Sequence, residues 1–341
     1  MNIKRVGIDL AKQVFQVHGV DYQDKVVLRK QLRRNQLLSY FATLPPCLIG
    51  MEACGGAHHW ARELQKLGHT VKLIAPQFVK PYVKSNKNDA NDAEAICEAV
   101  GRPTMRFVSV KTIAQQDLQA IHRIRSELVR QRTAKVNQIR GFLAEYGLVV
   151  GRQVATLRRA LPELLEDAEN GLSFDFRALL EDLRQDLIRL DERVAEMDKK
   201  VHTLADSMPA TKLLQSIPGI GPISATAIVC AVGDGKQFKR GRDLAAWLGL
   251  TPRQQSSGGK DRLLGISKRG DTYLRTLLIQ GAKSVLKVVD KKTDPRSLWL
   301  QNLCARKHKN IAAVALANKN ARIAWALLSN ETSYLPEGKP A

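Results

Sequence analysis

Two long runs of helical periodicity constrain this chain more than any other feature. From about Thr112 to Tyr146, and again from Phe174 to Leu204, apolar residues recur at spacings of three and four, the second run passing through Leu180, Leu183, Leu187, Leu190, Val194, Met197 and Val201. Both runs predict long helices, which leaves a front part, a helical middle and a rear part to be folded. The stretch Gly151 to Gly171, which holds Pro162, bends or joins the two helices into a hairpin or coiled-coil arm. Such an arm serves either as a plain spacer or as a dimerisation and spanning device.

The front part alternates strand and helix signals. KRVGIDLA, VFQVHGVD and VVLRKQLR are Val-rich with stretches of period two, and Asp21 to Asp24 supplies a turn between the second and third. A short helix over Asn35 to Ala42, an apolar strand CLIGMEA, a helix over His58 to Leu67 stopped by Gly68, and a strand TVKLIAP follow. Helical residues resume after Asn88, with Asp89 as the expected cap. A meander followed by alternating elements predicts an α/β domain with a mixed sheet. The five cysteines lie far apart without a CxxC pair, which argues for buried thiols rather than disulfides or a zinc knuckle. No stretch is apolar and long enough to cross a bilayer, and the start lacks a signal-peptide pattern, so a cytoplasmic protein is expected.

The charge is unusual. Lys and Arg total 54 against 33 Asp and Glu, a formal net charge of +21, and such an excess favours a polyanionic partner, nucleic acid first. It is not uniform along the chain: residues 101–160 hold 12 basic and 3 acidic side chains and residues 236–322 hold 20 and 5, whereas residues 161–200 hold 6 and 12. Two basic blocks flank an acidic one.

Four carboxylates stand where chemistry could gather. Asp9 in GIDLAK and Glu52 in GMEACGG end two predicted strands, which adjacent central positions could bring side by side. Asp89 and Asp92 in KNDANDAEAI are three apart and share one helix face. Converging, they would need counter-cations, and hard divalent ions such as Mg²⁺ accept an all-oxygen site; two such ions roughly 4 Å apart would stabilise both the attacking and the leaving oxygen of a phosphoryl displacement. Each carboxylate singly is also explained as a strand-end residue or as a complement to a helix N-terminus.

In the rear part, IPGIGPISATAIV (Ile217 to Val229) reads as helix, tight turn, helix. Gly219 and Gly221 leave backbone N–H groups open for a phosphate, as in a helix-hairpin-helix element, and an ordinary helix connection is the alternative. GLTPRQQSSGGKDRLLGISKRGDTYLR (Gly249 to Arg275) reads as a polar, glycine-rich loop in which Ser256 and Ser257 stand amid Arg253, Lys260, Arg262, Lys268 and Arg269. It suits phosphate binding, and a serine there could also attack a phosphodiester if a base or metal activated it, since no His is near in sequence.

Taken together, GIDLAK, GMEACGG, KNDANDAEA, SIPGIGPISA and the SSGGK–ISKRG loop resemble, in order and over nearly the whole chain from Asp9 to about Leu328, the DEDD transposases of the insertion-sequence one-ten family, its eleven-eleven subgroup in particular. The resemblance implies an α/β plus α chain: a ribonuclease-H-like, RuvC-like catalytic domain (1–105), a helical coiled-coil region (106–205), a mainly helical transposase domain with helix-hairpin-helix and serine loop (206–330), and a frayed tail (331–341). It implies Mg²⁺, two ions, on Asp9, Glu52, Asp89 and Asp92, and a serine nucleophile that falls on Ser257, with Ser256 the fallback. It further implies donor and target DNA, a non-coding guide RNA of the element itself, a homodimer assembling to a tetramer, and a bacterial, nucleoid-associated location. A structure-selective, Holliday-junction-type nuclease and a non-catalytic nucleic-acid-binding protein are the competing functions.

Overall fold

The computed structural model describes residues 2–84, 88–330 and 334, so the expected frayed tail lies outside the described residues apart from Tyr334. The chain divides into two compact units, Met1–Ile113 and Ala114–Ala341.

In the first unit the Val-rich alternation forms an antiparallel meander of β1 (Arg5–Leu10), β2 (Val14–Val20) and β3 (Val26–Arg33). The Asp21 carboxylate accepts from the N–H groups of Gln23 and Lys25 in the expected turn. β4 (Leu48–Glu52) and β5 (Thr70–Ile74) extend the sheet in parallel on the other side of β1, and β6 (Phe107–Val108) closes it antiparallel, giving the order β3-β2-β1-β4-β5-β6. The sequence pattern does not predict β6, because two residues carry no period.

Helices α1 (Leu37–Ala42), α2 (Ala57–Lys66), α3 (Pro76–Val79) and α4 (Asp89–Val100) cover this mixed sheet. On one face Ile8, Phe15, Ile49 and Met51 pack with Leu37, Phe41, Trp60 and Leu64 from α1 and α2, and the Phe15 and Trp60 rings meet edge to face at 5.2 Å. The other face carries α4, and two glycines set how close it comes. A Cβ on Gly7 would stand 2.2 Å from the Ala93 carbonyl oxygen, and one on Gly50 would stand 2.7 Å from the Val100 Cβ. Only at glycine can the central strands accept the helix backbone at this distance.

The helix start corrects one expectation. Asn88, not Asp89, is the cap: its side chain accepts from the Ala90 N–H at 3.0 Å, and Asp89 is the first helical residue. An asparagine cap does the same work as an aspartate one, and the shift leaves the Asp89 carboxylate free of that duty.

In the second unit both periodic runs are helices, α5 (Ile113–Glu145) and α7 (Phe174–Ser207). Between them the segment expected to bend or join is itself largely helical, α6 (Val154–Glu166), with Pro162 inside it. Arg132 pairs with Asp191 at 3.3 Å, Lys135 with Asp186 at 3.0 Å, and Arg125 with Asp198. Numbers rise along α5 as they fall along α7, so the two run antiparallel. Val136, Ile139 and Leu143 of α5, Leu157 and Leu161 of α6, and Leu180 and Leu187 of α7 fill the seam.

The rear of the unit is mainly helical: α8 (Pro209–Gln215), α9 (Pro222–Val232), α10 (Gly241–Trp247), α11 (Thr272–Leu286), α12 (Pro295–Arg306) and α13 (Lys309–Asn330). Small buried residues of α13 (Ala313, Ala317, Ala321, Ala324) lie in the core with Leu244 of α10 and Leu278 of α11. The stretch expected as a loop is a hairpin of β7 (Pro252–Gln254) and β8 (Leu263–Ile266), whose strands of three and four residues are too short to show an alternation.

Among the cysteines, Cys47, Cys97 and Cys230 are buried as expected, but Cys54 is exposed and Cys304 half-buried. Cys54 lies in the turn beyond the carboxyl end of β4, where the sheet edge opens to solvent. Among the described residues no helix is long and apolar enough to cross a membrane.

Gly7→Ala is therefore expected to destabilise the first unit by ~2 kcal/mol or more, because the clash is with backbone that cannot rotate away. Gly141→Ala, inside α5 with open space around its Cβ, should instead stabilise by ~0.5–1 kcal/mol through helix propensity alone. Thermal unfolding of the two variants checks the opposite signs.

Candidate functional site

The acidic residues come from three elements that the sheet brings to one edge. Ile8 of β1 pairs with Met51 of β4, so the next residues, Asp9 and Glu52, stand side by side at the carboxyl ends of parallel neighbours. Ile8 and Met51 point into the α1–α2 core. Strand alternation then turns Asp9 and Glu52 to the opposite face, the one covered by α4. There Asp89 and Asp92, in the first turn of α4, meet Asp9: among the described residues the carboxylate oxygens of Asp9, Asp89 and Asp92 all lie within 4.8 Å of one another. Asp9 and Asp92 are half-buried and Asp89 exposed.

Glu52 is adjacent to this trio but not within it. Its charge is felt nearby all the same, since partial burial first, and then the Glu52 and Asp9 carboxylates, raise the Cys54 thiol above its ordinary pKa. Three carboxylates at this separation repel unless a cation lies between them. The donor set is all oxygen and open to solvent on the Asp89 side, which fits a hard divalent cation such as Mg²⁺ and not a thiophilic metal. The α4 N-terminus offsets part of the charge through its dipole, so the same residues satisfy both explanations that the sequence left open.

The serine segment is built by its glycines. Gly258 and Gly259 both have positive φ (55° and 75°), and the Lys260 N–H donates to the Ser257 carbonyl at 3.1 Å, the pattern of a type I′ turn at the hairpin tip. Ser257 is the residue entering that turn. Both serines are exposed, but they are not equivalent: the Ser256 hydroxyl accepts from the Gln254 amide at 2.8 Å, and Gln254 also donates to Asp261 at 3.2 Å. Ser257 makes no side-chain hydrogen bond to a described residue. Arg253, Lys260, Arg262, Lys268 and Arg269 are all exposed on the same hairpin and its return.

Two residues that the motifs do not single out hold this region in place. Arg275, buried at the start of α11, donates to the carbonyls of Leu248 and Arg269 at 3.0 Å each and to the Thr272 hydroxyl at 2.9 Å, so it joins the segments before and after the hairpin. His122 of α5 lies between the Tyr273 hydroxyl (Nδ1, 3.0 Å) and the Thr226 hydroxyl (Nε2, 3.0 Å). Thr226 spends its own proton on the Pro222 carbonyl at 2.7 Å. It therefore accepts from Nε2–H, and Nδ1 accepts from Tyr273, which assigns a neutral imidazole. His122 thus ties the arm to both α9 and α11. No signal beyond a lone histidine on an apolar helix stripe marks it in the sequence.

The two glycines of the IPGIGP turn have different tasks. Gly219 has φ +92° and its Cβ would stand 2.9 Å from the Gly281 carbonyl oxygen, so packing against α11 requires it. Gly221, the residue before Pro222 at the start of α9, has nothing within 4 Å of its Cβ position. Packing explains the first glycine and does not require the second.

Comparison with known proteins agrees with this layout. Residues 6–148 match the DEDD transposase family of IS110, and residues 211–296 match the family described as Transposase IS116/IS110/IS902. A protein of Pseudomonas aeruginosa called "Probable family 20 transposase" is 56% identical over 337 residues, spanning 98% of this chain and 100% of that protein. The transposase for insertion sequence element IS1111A of Coxiella burnetii is 48% identical, over 98% of this chain and 92% of its own, and that for IS1328 of Yersinia enterocolitica is 44% identical, over 98% and 99%.

Burial first, and then the Arg125 charge, push the His122 pKa down to about 4 from 6.5. Below pH 6.5 the unfolded chain takes up a proton that the folded one refuses until pH 4, so this contribution to stability is present above 6.5 and lost as pH falls through that window, at a slope approaching ~1.4 kcal/mol per pH unit. His122→Gln, which keeps a neutral donor and acceptor, should flatten the second unit's loss of stability between pH 6.5 and 4. Unfolding midpoints measured across that range check it, and parallel curves for the two proteins would contradict it.

Proposed function

The chain belongs to the IS116/IS110/IS902 transposase family, enzymes that cut and rejoin DNA to move an insertion sequence, and from that premise we propose an RNA-guided recombinase with a metal-carrying acidic site and a serine nucleophile. The observation that carries this reading is the convergence of Asp9, Asp89 and Asp92 at one sheet edge, with Glu52 on the adjoining strand. The sheet order, an antiparallel meander continued by parallel strands, supports a ribonuclease-H-like, RuvC-like domain.

In this proposal Asp9, Glu52, Asp89 and Asp92 hold Mg²⁺, two ions. When bound, the metal stabilises charge on the phosphate and on the oxygens entering and leaving it. The chain's own groups do the rest. The Ser257 oxygen forms a bond to phosphorus, the phosphorus–oxygen bond to one strand end breaks, and that end leaves as a hydroxyl carrying the proton the serine gave up. A phosphodiester bond energy is kept in the serine link, and the hydroxyl of the exchanged strand reverses the step. The free Ser257 hydroxyl favours it over Ser256, whose oxygen is held by Gln254.

Arg253, Lys260, Arg262, Lys268 and Arg269, with the N–H groups beyond Gly219 and Gly221, bind backbone phosphates of donor and target DNA and of the element's guide RNA. Such contacts fix register without reading bases. The α5–α7 pair acts as a coiled-coil arm, and the active form is a homodimer that assembles to a tetramer.

Strand exchange tests the reading. Asp9→Asn and Ser257→Ala should each lower it at least ~10³-fold, and Ser256→Ala should retain most of it. Denatured wild-type reactions should contain DNA joined to serine. Exchange that survives Ser257→Ala but not Asp9→Asn would point to a resolvase-type nuclease. Normal transposition with Asp9→Asn and Glu52→Gln would leave only a binding protein. The purified protein should also retain a specific short RNA, and equal activity after its complete removal would contradict guidance.

A further inference from the structure

A cavity of about 130 Å³ lies between α4 and the β2–β3 side of the sheet, lined among others by Gln16, His18, Arg29, Asn91 and Glu94. Its lining includes neighbours of the acidic trio, though not the trio itself. Gln16 is the direct cross-strand partner of Asp9, and Asn91 sits between Asp89 and Asp92 on α4. Partners in an antiparallel ladder point to the same face, so Gln16 and His18, with Arg29 opposite His18 on β3, face α4 as Asp9 does.

The lining has a distinctive chemistry. His18 is 5% exposed and makes no hydrogen bond to a described residue, and its ring nitrogens are not sealed from solvent, so one donor and one acceptor open onto the cavity. Burial foremost lowers its pKa from 6.5, which keeps it uncharged. The nearby cations have partners: Lys84 pairs with Glu94 at 2.9 Å, Arg29 approaches the same carboxylate at 3.7 Å, and the Lys30 ammonium lies over the Tyr40 ring at 4.4 Å. A bare anion would find few unspent donors here and an acidic neighbour. A neutral group with both donor and acceptor edges would find the Gln16 amide, the His18 imidazole and the Glu94 carboxylate.

We propose that this cavity receives one unstacked nucleobase of the DNA strand whose phosphate lies at Asp9, Asp89 and Asp92. The inference rests on the proposed DNA-cleaving role of that trio and adds to it a base-holding subsite on the same sheet face. Side-chain amides and carboxylates are the groups that match base edges. Taking a base out of the stack costs least where the strand is already single or unpaired. Gln16 and His18 act here as binding residues and not as catalytic ones.

The test reads His18 directly and needs no turnover. Full-length protein labelled with ¹⁵N-histidine is titrated, with Ca²⁺ as the divalent ion, with a single-stranded oligodeoxynucleotide and with an abasic oligomer of the same length, which keeps every phosphate. The base-bearing strand should shift the His18 ring nitrogens and the abasic one should not. Gln16→Ala, at a half-buried position, should weaken the His18-reported affinity up to ~10-fold, the scale of one lost hydrogen bond. An equal shift with the abasic strand assigns the cavity to backbone and overturns the proposal, as does an unmoved His18 at saturating oligonucleotide. Failure of the acidic site is read separately, as strand exchange that survives Asp9→Asn, so failure of the cavity and failure of the acidic site appear in different measurements.

Discussion

The fit of α4 against Gly7 and Gly50 is the contact on which the acidic edge depends. At Gly7 helix backbone, and at Gly50 the Val100 side chain, approaches the strand to a distance that any Cβ would block, and packing that tight leaves little freedom to slide. The Asn88 cap fixes where the helix begins, so its first turn is aimed over the end of β1. Asp89 and Asp92 reach Asp9 because of a steric contact one to two turns farther along the same helix. The carboxylates repel one another, and the glycines hold them together regardless.

A comparable logic operates in the second unit. A serine at the tip of a polar hairpin has little packing of its own, and its position is borrowed from the hairpin's base. Arg275 supplies that base by satisfying two carbonyls that flank the hairpin, and the His122–Tyr273–Thr226 chain fixes the next turn against α5 and α9. Fully paired buried polar groups specify one arrangement, since each alternative would orphan at least one of them. Precision at an exposed residue is thus obtained from buried ones.

Much of this was legible in the sequence, for reasons that can be named. The meander, the parallel strands and the two long helices each repeat a period over enough residues to be read, and Asp9 and Glu52 follow from strand ends. β6 and the serine hairpin were not legible, because strands of two to four residues carry no periodic signal. The cap moved by one residue since Asn and Asp offer the same acceptor. His122 and Arg275 carry no local signal because their function lies in partners 27, 104 and 151 residues away, and His18 looks like any residue of a Val-rich strand. The cavity beside the trio depends on which face each residue takes, and that is settled only by ladder register.

The antiparallel pairing of the arm changes what the net charge of +21 means. Arg125, Arg132, Lys135 and Arg158 belong to the first basic block, yet they face Asp186, Asp191 and Asp198 across the helix seam. The acidic block is therefore their internal counter-charge, and fewer cations remain for a polyanion than the composition suggests. These bridges are partly exposed, so added salt screens them as it screens phosphate contacts. Ionic strength then acts on two equilibria at once, the integrity of the arm and the grip on nucleic acid. A slope of log affinity against log salt would overcount phosphates by whatever the arm itself gives up.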